Sequence, residues 1–143
     1  MDTHQELGDL EAAEREASRA VTLASAAPSV QVDAQGTLAR VLLAKGSPKE
    51  ARDAAAKAME LVEKVGQVDE GESLARLVDI ETRRVTNGDA YAREAAARAY
   101  QRVMDRAATI EDPAWRKSFL GIRENQATLR VAEELGAVPG EPG

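Results

Sequence analysis

Apolar residues recur along this chain at intervals of three and four, the spacing that gathers them on one face of an α-helix. The clearest run spans residues 35–65. There Leu38, Val41 and Leu42 form one i, i+3, i+4 series, and Ala51, Ala55, Ala58, Val62 and Val65 form a second. Between the two series stands Lys45-Gly46-Ser47-Pro48. It supplies a C-cap glycine, an N-cap serine and a proline at the first helical position, so two helices joined by a tight turn are predicted. The small side chains of Ala51, Ala55 and Ala58 let the second helix lie close against the first.

The same periodicity places the remaining elements. Met1 to Leu7 reads as the end of one helix, with a turn at Gly8-Asp9 and an N-cap aspartate before the next. From Asp9 to about Ala27 the apolar face is Leu10, Ala13, Ala17, Ala20, Val21 and Ala24, and the break at Ala27-Pro28-Ser29 leads into a helix over 30–44. Residues 66–71 punctuate the chain again before a helix from Glu72 to Thr86. Asn87-Gly88-Asp89 predicts a turn and a fresh N-cap at Asp89. One long helix then runs to Ile110 with Ala92, Ala96, Ala99, Val103, Ala107 and Ile110 inward. Glu111-Asp112-Pro113 stops it and caps a short helix, Pro113 to Leu120. A last helix from about Glu124 to Leu135 buries Leu129, Ala132 and Leu135 and ends at Gly136. Residues 137–143 lack the apolar content to pack and are expected to be disordered.

Composition agrees with helices alone. Aromatics make up 3% of 143 residues and there is no cysteine. A core of Ala, Leu and Val suits close helix packing better than a sheet, and neither a disulfide framework nor a thiolate metal site can form. The missing cysteines fit a cytoplasmic setting, and no apolar run reaches the roughly 20 residues a membrane span needs. Net charge is −6. Residues 1–72 hold 14 acids and 8 bases, residues 73–143 hold 11 of each, and Lys117 is the only lysine of the second half. A nucleic-acid partner is not expected of an acidic chain, because binding phosphates needs a basic face.

Within 32–65 the residues Leu38, Ala39, Leu42, Gly46, Ala51 and Ala58 fall at the small and large positions of a tetratricopeptide repeat, which the segment resembles. Gln35 stands where that pattern has an aromatic, and Glu63 where it has proline. Hinge glycines at 8, 46 and 88 lie 38 and 42 residues apart, longer than the typical repeat of about 34. Such lengthened arrays are similar to those at the C-termini of bacterial multidomain signalling proteins, among them serine/threonine kinases and ATP-dependent transcriptional regulators. Asp112 to Gly136 resembles their closing segment at residues 112, 113, 116, 118, 119, 120 and 125. The resemblance implies an all-α fold, a right-handed superhelix of antiparallel helix pairs ending in a capping pair whose Trp115, Phe119 and Ile122 plug the open end. Residues 1–136 then form one domain, with hairpins at about 1–27 (partial), 30–65, 72–110 and 113–136. The first hairpin reads as a half-repeat, and the chain as a piece of a longer protein. The implied function is non-catalytic: holding a protein or peptide partner, or, as the alternative, self-association that brings attached domains together.

Candidate sites follow from the same pattern. His4, the only histidine, lies near the terminus and reads as solvated. Asp69, Glu70 and Glu72 lack the spacing of a calcium loop and read as helix caps. No cofactor-binding or catalytic motif is present. Arg76, Arg83, Arg93, Arg98, Arg102 and Arg106 read mostly as solvated partners of Asp79, Glu94 and Asp105, with docking of an acidic segment as the other reading. Glu81 stands in an apolar stripe with Leu74, Leu77, Val78 and Val85, so it is either ion-paired, with Arg84 or an arginine of the next helix, or a polar anchor for a peptide. The repeat resemblance assigns the groove to Asp33, Arg40, Leu43 and Ala44, joined by Glu81. The open face Leu10, Ala13, Ala17 and Val21 is a candidate surface for a weak homodimer.

Overall fold

The computed structural model describes residues 3–23, 27–66 and 71–138, with side chains from Glu6 onward. The expectations for the His4 side chain, Ala24, Asp69, Glu70 and the tail past Val138 fall outside these residues. Seven helices form, and no strand is found among the described residues: α1 (Thr3–Leu23), α2 (Pro28–Lys45), α3 (Pro48–Val65), α4 (Glu72–Asn87), α5 (Asp89–Ala108), α6 (Pro113–Leu120) and α7 (Arg123–Glu134). The all-α expectation holds.

The α2–α3 turn forms as its sequence dictates. Gly46 takes the left-handed conformation at φ 88°. Its N–H donates to the Leu43 carbonyl at 3.1 Å and that of Ser47 to Leu42 at 2.8 Å, while Pro48 opens α3. This closes carbonyls that a helix end otherwise leaves without donors. At the start of α4, Gly71 has φ +86°, and a Cβ there would stand 2.8 Å from the Asp33 backbone nitrogen. The glycine is what lets α2 and α4 meet at that end.

The helices arrange in two rows. In one, α4 lies between α2 and α7 and touches both. In the other, α1 leans on α2, α3 on α2 and α4, and α5 on α4 and α7, while α1, α3 and α5 make no backbone approach to one another. The core between the rows is built mostly of alanine and valine. Ala39, Leu42, Ala51, Ala55, Leu74 and Val78 join α2, α3 and α4, and Ile80, Ala92, Ala96, Ala99, Val131 and Ala132 join α4, α5 and α7.

Five sequence expectations are corrected. No turn forms at Gly8: α1 runs straight through it, and Gly8 does not adopt positive φ. One glycine costs a helix interior only about 1 kcal/mol, so the continuous helix wins and the 38-residue spacing loses its hinge. Asp89 is not the N-cap of α5. That position is Gly88, and Asp89 sits in the first turn as partner of Arg84. The buried stripe of α2 is Val32, Gln35, Gly36, Ala39 and Leu42, with Leu38 and Val41 half-buried beside it. Gly36 belongs there because a Cβ would already meet Leu74 Cγ at 3.1 Å.

The end of the stack differs too. Trp115 is 74% exposed and Ile122 44%, and Phe119 alone of the expected plug is half-buried, so α6 does not seal it. Instead α7 covers α4 and α5 with Val131, Ala132 and Leu135. Finally, Ala137 is buried and Val138 packs against the same cluster, so the ordered chain continues past Gly136.

Candidate interaction face

The row α2–α4–α7 carries most of the residues singled out for a groove. On α2, Asp33, Arg40 and Ala44 are exposed, at positions that share one side of a helix. Arg40 Nη2 donates to Glu124 Oε1 at 3.3 Å. Since α2 and α7 do not approach each other directly, the Arg40 side chain reaches across α4 to the first turn of α7. Leu43 is half-buried against the cluster of α2, α3 and α4, and so faces inward more than Ala44 does.

Glu81, on α4, is half-buried between these neighbours. The ion pair expected with Arg84 does not form. Arg84 is held by Asp89 at 2.8 Å and by Glu134 at 3.1 Å. The buried arginine–carboxylate contact from α5 goes to Glu72. Among the described residues Glu81 receives no hydrogen bond and no salt bridge. Burial pushes its carboxyl above the ordinary carboxylate range, opposed only by the charge of Arg40. Near the other end of α2, a cleft of about 300 Å³ opens between Asp33, Ser73, Leu74, Phe119, Ile122 and Glu124. Arg106 also borders it, with its guanidinium 5.2 Å from the centre of the Phe119 ring.

The structure therefore brings Asp33, Arg40 and Glu81 to one face and adds Glu124, which the sequence reading did not single out. Glu124 lies just past the α6–α7 turn, where the repeat resemblance supplies no register for a groove.

Two buried carboxylates were also missed as such. Glu72, with its side chain 1% exposed, accepts from Arg76 Nε at 3.0 Å and from Arg102 Nε at 2.7 Å. Burial raises its carboxyl, but the bonds from Arg102 and Arg76 outweigh that and hold it below the usual range. Asp79 accepts from Arg52 at 2.8 Å and Arg83 at 3.0 Å, and Arg52 also donates to Thr82. The i, i+4 partners Arg76 and Arg83 were legible; Arg102 and Arg52, which arrive from α5 and α3, were not.

The arginine strip is thus mostly structural. Arg98 pairs with Glu94, Arg93 donates to the Leu135 carbonyl, and Arg83 lies over Tyr91 at 4.9 Å. A second cleft, about 370 Å³, lies beside these groups between α3 and α5, with Arg76, Asp79 and Arg83 among its lining residues.

On α1, Ala17 is buried, while Leu10, Ala13 and Val21 are half-buried. Because α1 touches only α2, part of the expected self-association face is already used within the chain. No helix among the described residues is long and apolar enough to cross a membrane. No protein-family model, curated protein or solved structure matches this chain.

Proposed function

We propose that this chain is a non-catalytic protein-interaction module of stacked, tetratricopeptide-like helix pairs that holds a protein or peptide along its α2–α4–α7 face. Support for the stacking comes from the contacts, in which helices meet only near neighbours, as in repeat arrays. In this reading α1 is the second helix of an incomplete leading pair, and α7 occupies the inner place that α2 and α4 hold in theirs.

The observation that carries the functional reading is Glu81. A half-buried carboxylate has lost part of its water without gaining a donor from its own chain among the described residues, a cost that a bound partner would offset. A bound partner can supply the missing donor. Of the accompanying setting, the larger bacterial signalling protein rests on the sequence resemblance and the cytoplasm on the missing cysteines. Net charge of −6 argues for a protein rather than nucleic acid as partner.

A photo-crosslinking residue placed at Asp33 or Ala44 in the native host should capture the partner, and one at the exposed Lys57 on α3 should not. Capture from position 57 alone removes this reading.

The second reading, self-association, is favoured by α1, which has a single neighbour and leaves Leu7 46% exposed. It predicts a weak dimer near millimolar concentration. Leu10→Glu with Val21→Glu should return it to monomer, and light scattering that shows a monomer throughout rules the dimer out.

A further inference from the structure

We propose that the α2–α4–α7 face selects a basic, extended segment, with a Lys or Arg side chain over Glu81 and an apolar side chain in the cleft between Asp33, Leu74, Phe119 and Ile122. This rests on the reading of that face as the interaction surface.

Charge complementarity decides the sign of the occupant. Asp33, Glu81 and Glu124 stand on the face, Glu124 already paired with Arg40, and neither Arg40, whose charge acts on Glu81, nor Arg84, three residues along α4, is free for a ligand. Arg40 is bonded to Glu124, Arg84 to Asp89 and Glu134, and Arg106 lies against Phe119. At Glu81 an acidic segment would meet a carboxylate whose neighbouring guanidiniums, Arg40 and Arg84, are already bonded. An incoming ammonium or guanidinium would give Glu81 the charge-assisted hydrogen bond that it lacks. A partly desolvated carboxylate gains more from such a partner than one in open water, where the exchange is nearly neutral.

The cleft supplies the second contact. Leu74, Phe119 and Ile122 give it an apolar wall, with Asp33 and Glu124 at its rim. An apolar side chain of the ligand would therefore be covered while its backbone passes between the acids. Spacing follows from helix geometry. Ser73, at the cleft, and Glu81 are eight residues apart on α4, about 12 Å along the axis. An extended chain covers that in roughly four residues, so the cation and the apolar residue of the ligand stand three or four positions apart. A compact helix would need about eight residues for the same span.

The test is a display library of random peptides of about ten residues selected on the intact chain, with Glu81→Gln as the isosteric counter-variant. Peptides that carry Lys or Arg three or four residues from an apolar side chain should be enriched, and Glu81→Gln should weaken them at least about ten-fold. Glu81→Lys, with folding checked by circular dichroism, should turn the selection towards acidic peptides. If acidic or purely apolar peptides are enriched on the unmodified chain and Arg40→Ala or Glu81→Gln changes their affinity, the basic occupant is wrong and the face reading stands. If no peptide responds to substitution at Arg40, Ala44 or Glu81, both fall.

Discussion

Glu72 and Glu81 share α4 and both lose water, yet their carboxyls shift in opposite directions because only one has donors. Glu72 is held below the usual range, so its contribution to stability is present above the ordinary carboxylate pKa of about 4.3. That contribution disappears as pH falls through its lower native value. Glu72→Gln should cost about 3 kcal/mol at neutral pH, and urea titrations of the two proteins should converge in acid. A constant gap across pH would contradict the pairing. For Glu81 the sign reverses. Its raised native pKa favours the fold only while the carboxyl is protonated, and that benefit is lost as pH rises through the native value. Glu81→Gln should therefore be more stable than the parent at pH 7, by less than about 1 kcal/mol, with the advantage gone in acid. A loss of stability would mean that a donor serves Glu81 after all. The sequence showed that Glu81 needed a partner, but the choice between Arg84 and none depended on Asp89 and Glu134, whose positions only the folded chain fixes.

Among the elements, boundaries were the most legible feature, because their signals are local. Pro48 and Pro113 open helices, Asp112 caps α6 by accepting from the N–H groups of Ala114 and Trp115, and Gly46 and Gly136 close their turns. Gly8 misled because the same residue that ends one helix can be tolerated inside another. Since nothing lies within 4 Å of a Cβ at that position, Gly8→Ala should raise stability by up to about 1 kcal/mol, read from the melting curve. A lower melting temperature would restore the turn. Which helix covers α5 was not legible, because α6 carries the large apolar side chains that suggest a plug, while α7 offers alanine. Alanine wins by letting backbones approach. Trp115→Ala should accordingly change stability by less than about 0.5 kcal/mol, whereas Ala132→Leu should cost about 1–3 kcal/mol by overpacking. The reverse order, measured by urea denaturation, would move the end of the stack back to α6.

At the scale of the whole molecule, the all-α class was readable from alanine content and period, and the shared exposed side of Asp33, Arg40 and Ala44 from helical spacing. Neither the crossing of Arg40 to Glu124 nor the turn of Leu43 inward could be read, since each depends on how far neighbouring helices rotate. Stability should be graded along the stack. α1 has one neighbour and a single described salt bridge to it, Lys45 to Glu14 at 2.7 Å, whereas α4 touches four other helices. Native-state hydrogen exchange should find the amides of α1 opening first and those buried in α4 last; equal protection in both would show a single cooperative unit. The two rows also have a mechanical meaning. Load applied between α1 and α7 must enter through α2 and passes to α7 by way of α4, with the Arg40–Glu124 bond as a side-chain strap across it, so these helices bear it largely in series, like links. Arg52 and Arg102 tie α4 sideways to α3 and α5, and those ties resist sliding while leaving the α1 link to part first. A ligand laid along α2, α4 and α7 would span two of the joints at once, so its occupancy would be felt as stiffness under tension.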